Sequence, residues 1–140
     1  MDIKQILIQY WGYSNFRPKQ EEIIHDVLEG KDTLALLPTG GGKSITYQIA
    51  GLKMDGLCLV ITPLIALMKD QVANLKKRKI EAVAIYSGMN SHQIDIAWNQ
   101  FTHGTAKFLY LSPERLSTPQ FINRIPQLKI NLIAVDEAHC

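Results

Sequence analysis

Five residues, Thr33-Leu34-Ala35-Leu36-Leu37, run straight into Pro38-Thr39-Gly40-Gly41-Gly42-Lys43-Ser44, and no other stretch of the chain restricts the fold so tightly. The apolar run has the length of a buried strand, and the glycines let the backbone curl until successive N–H groups point at one place. A helix beginning near Lys43 would turn its positive end to the same place. Strand, glycine turn and helix in that order make a phosphate-binding loop, in which the backbone of Thr39, Gly40, Gly41 and Gly42 cradles phosphates. Lys43 would reach the outer phosphates and the Ser44 hydroxyl would take one position on Mg²⁺. The strict spacing of such loops has glycine where this chain has Leu37, so the loop is a variant. The competing reading is a glycine-rich surface turn, which does not require the strand that precedes it here.

The last residues extend the same chemistry. Leu132-Ile133-Ala134-Val135 is a continuous apolar run, as in a parallel strand covered on both faces, and it ends in Asp136-Glu137-Ala138-His139. Open α/β sheets bind their ligands at the carboxyl ends of their strands, where these two carboxylates fall. Asp136 suits Mg²⁺, through water, and Glu137 suits the orientation and deprotonation of a water attacking a γ-phosphate. Alone, the pair reads equally well as a solvated acidic loop. Beside the glycine loop it predicts an ATP-hydrolysing site with Lys43, Asp136 and Glu137 as its catalytic residues.

Between these ends, apolar periodicity alternates between strand and helix. Helical spacing covers Ile3 to Trp11, and again Ile23, Ile24, Val27 and Leu28 after Pro18. The helix opened by Lys43 closes near Asp55-Gly56. Strands are predicted at Leu57 to Ile61, Ala82 to Tyr86, Phe108 to Leu111 and Ile130 to Val135. A long amphipathic helix follows Pro63, a second stripe runs Ile94, Ala97, Trp98 and Phe101, and a short one spans Phe121 to Ile125. This alternation predicts an α/β fold, a doubly wound parallel sheet with helices on both faces.

Composition excludes more than it assigns. An apolar fraction of 46% and a charged fraction of 20% describe an ordinary globular chain, and a net charge of +2 implies no polyanion partner by itself. Cys58 and Cys140 form neither a metal pattern nor a disulfide framework, so a reducing, cytoplasmic setting is expected, at the nucleoid if the source is bacterial. The histidines have no metal spacing. No signal peptide or membrane-length apolar run is visible, and no membrane partner is expected.

With these residues in place, the chain resembles the RecQ-type DNA helicases of helicase superfamily 2, from about Leu7 to Cys140. Gly12-Tyr13-Ser14-Asn15-Phe16-Arg17-Pro18-Lys19-Gln20 is similar to that family's adenine-recognition motif, with Trp11 where Phe is common. The resemblance implies that Gln20 hydrogen-bonds the adenine edge while Tyr13 and Arg17 pack beside the base. The plainer reading places Tyr13 and Phe16 in a core and Gln20 on a solvated helix face. Thr62-Pro63-Leu64-Ile65-Ala66-Leu67-Met68-Lys69-Asp70-Gln71 and Ser112-Pro113-Glu114-Arg115-Leu116 resemble two nucleic-acid motifs of the family. Both follow strands and open helices, so backbone N–H groups and a hydroxyl are expected to hold DNA phosphates without reading sequence, at Thr62, Pro63, Leu64, Ser112 and Arg115. Arg115 either contacts phosphate or braces its own loop. Ser87-Gly88 is a weaker loop candidate, and Lys76-Lys77-Arg78-Lys79 reads foremost as a solvated helix end. By resemblance, His139 links the nucleotide site to DNA and to a partner domain.

The resemblance implies a division into an adenine-recognition segment, residues 1–30, and a RecA-like ATP-binding motor domain, residues 31–140. It also implies ATP and Mg²⁺ as cofactors, single-stranded or partly duplex DNA as partner, and 3′-to-5′ unwinding in repair and recombination. The chain stops four residues after Asp136, so the motor domain is expected to be incomplete. The family's second motor domain and its arginine finger lie outside this sequence. Comparable sites lose roughly 10³–10⁵ in rate without that finger, so the 140 residues alone should hydrolyse ATP barely or not at all. Two other classes stay open: an RNA-remodelling ATPase of the Asp-Glu-Ala-His group, and a nucleotide-binding module without motor activity.

Overall fold

The computed structural model describes residues 2–30 and 43–135. The predicted strand at Thr33–Leu37, the loop residues Thr39, Gly40, Gly41 and Gly42, and the segment Asp136, Glu137 and His139 lie outside the described residues. Two compact units divide the chain, Met1–Asp55 and Gly56–Cys140.

The first unit is helical where it is described. Helix α1 (Ile3–Ile6) starts on a capping box in which Asp2 and Gln5 exchange side-chain-to-backbone hydrogen bonds of 2.8 Å. It continues as a π-helical turn, Leu7–Trp11, and the Gly12 N–H reaches back to the Leu7 and Ile8 carbonyls. Gly12 closes the turn at φ 76°, a left-handed conformation that glycine adopts without strain. Helix α2 (Gln20–Leu28) begins later than Pro18 because Lys19 sits at φ 72°, where no helix can pass. Both α1 and α2 pack on α3 (Lys43–Lys53), burying Ile3, Ile6, Leu7, Ile24, Ile49 and Ala50.

The second unit holds β1 (Leu57–Ile61), α4 (Ile65–Lys77), β2 (Ala82–Ile85), α5 (Ser91–Thr102), β3 (Phe108–Leu111), α6 (Pro119–Arg124) and β4 (Ile130–Val135). The strands form one parallel sheet in the order β2-β3-β1-β4. The chain moves one way across the sheet from β1 to β2, and back from β2 through β3 to β4. Right-handed crossovers in opposite directions put α4 on one face and α5 and α6 on the other. The side chains agree: Ile94, Ala97, Trp98 and Phe101 of α5 join Leu59, Val83, Ile85, Leu109 and Leu111 in one apolar cluster, with Phe121 and Ile125 packed on it. The doubly wound α/β sheet is therefore present. Helix α5 carries a second capping box, Asn90 with Gln93.

One expectation fails. Strand β4 alternates half-buried with exposed residues, and Ile133 and Val135 are each 59% exposed, so among the described residues of its own unit one face of the strand is left uncovered. Among the described residues it is the edge of the sheet. Its ladder to β1 skips Asn131, a bulge beside Gly56, which needs both its φ of 98° and its missing side chain: a Cβ there would stand 2.6 Å from the Asn131 Nδ2.

Candidate nucleic-acid interface

Strands β3 and β1 are neighbours, yet the chain leaves them toward opposite faces of the sheet. Their carboxyl ends therefore part, which is the condition for a ligand crevice in an open α/β sheet. Thr62 and Ser112 are the residues at that parting. The ladder extends one residue past the strands to hold them, with the Thr62 N–H donating to the Leu111 carbonyl at 3.0 Å and the Ser112 N–H to the Ile85 carbonyl at 3.4 Å.

This corrects part of the expected chemistry. The two backbone N–H groups are engaged in the sheet and do not face outward, and the Leu64 N–H donates to the Thr62 Oγ1 at 3.4 Å. Both Thr62 and Ser112 are buried, while Pro63 and Leu64 are exposed on the loop above. What remains for a phosphate is the N-terminal turn of α4, whose first N–H groups have no carbonyl within the helix, and the Ser112 Oγ, which has no hydrogen-bond partner. An unpaired buried hydroxyl costs about 1–3 kcal/mol, which makes it a natural donor to an incoming acceptor.

Arg115 braces a loop, and the loop is a neighbouring one. Its Nη2 donates to the Tyr86 carbonyl at 3.3 Å, across the gap between the strand ends, and its Nε is buried without a partner. The turn it reaches, Tyr86-Ser87-Gly88, is held twice more. The Ser87 Oγ donates to the Glu114 Oε1 at 2.8 Å, and the Lys69 Nζ of α4 stands 4.9 Å from the centre of the Tyr86 ring. Gly88 has φ 102°, and a Cβ there would meet nothing within 4 Å, so the turn is open to solvent. The Glu114 carboxyl is held below its ordinary value first by its own backbone N–H and then by the Ser87 hydroxyl, with a weaker pull from the Ser112 hydroxyl short of hydrogen-bond geometry. Sequence reasoning assigned no role to Lys69, Tyr86 or Glu114; none of them announces a contact between loops that lie 27 residues apart.

The basic run ends α4 as a solvated face. Lys76, Lys77 and Lys79 are exposed, and Lys79 turns left-handed at φ 68° so that the Ile80 N–H returns to the Leu75 carbonyl.

The nucleotide residues that are described belong to the first unit. Lys43 and Ser44 are the first residues of the eleven-residue α3, half-buried, with the Thr46 Oγ1 donating to the Lys43 carbonyl at 2.6 Å. A helix start bearing a lysine and a hydroxyl fits ATP phosphates and Mg²⁺. Tyr13 is 51% exposed and Arg17 is exposed, so neither lies in a core. Gln20 is buried to 3%, and its Oε1 accepts the Arg17 N–H at 2.8 Å, which occupies one of the two lone pairs of that carbonyl. No group of metal-ligating side chains occurs among the described residues, and no helix there is long and apolar enough to cross a membrane.

Residues 17–140 match the DEAD/DEAH box helicase family. The chain belongs to that family. Within it, similarity to helicases named for DNA is extensive. The chain is 45% identical over 135 residues to the ATP-dependent DNA helicase RecQ of Pasteurella multocida (strain Pm70), covering 96% of this chain and 21% of that protein. It is 43% identical over 138 residues to a provisionally named ATP-dependent DNA helicase, RecS, of Bacillus subtilis (strain 168), covering 99% of this chain and 28% of that protein. A provisionally named ATP-dependent RNA helicase, R290, of Acanthamoeba polyphaga mimivirus is 40% identical over 141 residues, covering 99% of this chain and 25% of that protein. The chain thus spans about a quarter of the length of these relatives.

Proposed function

We propose that this chain is the first motor segment of an ATP-driven DNA helicase of the RecQ type. In this reading residues 1–30 recognise adenine and residues 31–140 form a RecA-like domain that works against a second motor domain of the whole protein. ATP with Mg²⁺ supplies the phosphoryl group whose hydrolysis drives strand separation. Lys43 neutralises charge on the outer phosphates, Ser44 and Asp136 hold the metal, and Glu137 orients water and takes its proton. Thr39, Gly40, Gly41 and Gly42 cradle the phosphates, Tyr13, Arg17 and Gln20 hold the base, and His139 couples the nucleotide to DNA. Single-stranded DNA lies along Thr62, Pro63, Leu64, Ser112 and Arg115, contacted through its phosphates and therefore without sequence preference. The direction is 3′-to-5′, the setting the cytoplasm or nucleoid, and the task repair or recombination.

The observation that carries this reading is the placement of Thr62 and Ser112 directly after β1 and β3, where the two strands part, in a chain similar to DNA helicases over nearly all its length. The test is ATP hydrolysis by the complete native protein, alone, with single-stranded DNA and with RNA, beside its Lys43→Ala variant. Strong stimulation by DNA, lost in the variant, supports a DNA motor. Stimulation by RNA alone would replace it with the RNA-remodelling reading that the mimivirus relative's name favours. The isolated 140 residues should show little or no turnover, and hydrolysis at the rate of the complete protein would sink that part.

A further inference from the structure

Beyond the strand ends of β2 and β3, two loops are tied by an exposed carboxylate close in sequence to the residues assigned to a polyanion. Glu114 lies beside Arg115 and two residues from the buried Ser112 hydroxyl, on the short 3₁₀ turn Pro113–Ser117 that follows β3. A negative charge there repels a passing phosphate, so on charge alone it opposes DNA binding. Its observed contacts suggest what it does instead. The carboxylate accepts the Ser87 hydroxyl at 2.8 Å, while one residue further on the Arg115 Nη2 reaches the Tyr86 carbonyl at 3.3 Å. Two adjacent side chains of one turn thus grip two adjacent residues of the other. The gripped turn is closed locally only by long contacts of 3.4 Å, the Met89 N–H to the Tyr86 carbonyl and the Tyr86 N–H to the Met89 Sδ, and it contains Gly88 at a left-handed φ of 102°.

We propose that Glu114 is a positioning residue for nucleic-acid engagement: with Arg115 it clasps the Tyr86–Gly88 turn and sets that turn as a further phosphate contact beside Ser112 and Thr62. This rests on the DNA reading of the crevice. With the single Ser87 proton kept on Glu114, the clasp fixes the exposed backbone of Gly88 at the end of β2, in line with the residues at the ends of β3 and β1. It holds Tyr86 under the Lys69 ammonium, which then stands over the same turn as the cation that a phosphate meets. Arg115 holds the turn through its Nη2 while standing on the DNA track beside it. Ordering a loop before the ligand arrives removes that ordering cost from the binding step, which offsets the repulsion of one solvated carboxylate.

The test uses the complete native protein with Glu114→Gln, Glu114→Ala, Ser87→Ala and the Glu114→Ala/Ser87→Ala double variant. Affinity for a single-stranded oligonucleotide is read by fluorescence anisotropy at two salt concentrations, and the oligonucleotide concentration giving half-maximal ATPase is read alongside. Glutamine keeps an acceptor for Ser87 and removes the charge, so Glu114→Gln should bind at least as tightly as wild type. Glu114→Ala and Ser87→Ala should each bind five- to tenfold more weakly and raise the half-maximal concentration by a similar factor, with the maximal rate retained. The double variant should be no weaker than either single one, because both remove the same contact. Wild-type affinity or tighter in Glu114→Ala, with DNA still bound by wild type, would overturn the clasp alone. Failure of the wild type to bind DNA would overturn the DNA reading and the clasp's role with it.

Discussion

Strands β3 and β4 read almost alike as sequence and differ in the folded chain. Phe108-Leu109-Tyr110-Leu111 and Leu132-Ile133-Ala134-Val135 are both unbroken apolar runs. All four residues of β3 are buried, whereas β4 exposes every second residue. An apolar run reports that a strand avoids water somewhere, and only its neighbours decide on how many sides. β3 has a strand on each side and a helix layer on each face, so nothing of it reaches solvent. β4 pairs with β1 alone among the described residues. The lesson is that membership of a sheet is local information and rank within it is not.

The comparison can be broken by substitution. Phe108→Ala on β3 removes a fully buried ring and should cost about 3–5 kcal/mol, seen as a lower urea midpoint for the 140-residue chain. An effect under ~1 kcal/mol would mean that β3 is not the centre of the core. Cys58, on β1 between the two strands, sharpens the contrast by titration. Burial pushes its thiol from 9.0 up to about 12, against a smaller opposing pull from Lys107. A thiol raised in the folded state favours folding fully below pH 9.0, and that contribution is lost as pH climbs toward 12, by about 1.4 kcal/mol per pH unit. The stability difference between wild type and Cys58→Ala should shrink accordingly above pH 9.0, and a constant difference would contradict the burial.

Gly56 stands where β1 enters beside the bulge of β4. Gly56→Ala should cost about 1–3 kcal/mol, because alanine is strained at that φ and its methyl meets Asn131 and the Lys129 carbonyl. Gly56→Ala combined with Asn131→Ala should recover part of the loss, and no recovery would place the whole cost in the backbone. Smallest of all should be Ile133→Thr on the open side of β4, within about 0.5 kcal/mol in the same melts. A loss as large as that of Phe108→Ala would show that β4 is covered after all.

Much of the fold was legible for physical reasons that these substitutions probe. Leu57–Ile61 and Phe108–Leu111 are strands with the boundaries that their apolar runs predict, since short buried strands need nothing but contiguous apolar residues, and β4 also keeps its predicted bounds, Ile130–Val135. Ala82–Ile85 stops one residue short of Tyr86, which turns aside to meet Lys69. Strand order was not legible, because β3 inserts between β2 and β1 through contacts distant in sequence. The π-helical turn at Leu7–Trp11 and the left-handed Lys19 were also invisible, as neither residue type demands that conformation. Of the candidate site, the helix-opening Lys43 and Ser44 and the strand-ending Thr62 and Ser112 stand where the pattern puts them. What the pattern could not supply was the clasp: Glu114 and Ser87 are common surface residues, and only the sheet brings their loops together.

The hydrogen bonds that carry the ladder past the strand ends have a metric consequence. Neighbouring parallel strands lie about 4.8 Å apart, so the ends of β2, β3 and β1 mark three points at steps of about 4.8 Å along one line. Because the Thr62 and Ser112 N–H groups are bonded to the preceding strands, none of the three points can slide without breaking the ladder. The rim of the sheet is a graduated ruler, and a flexible polymer laid along it must take the spacing of the ruler, not its own.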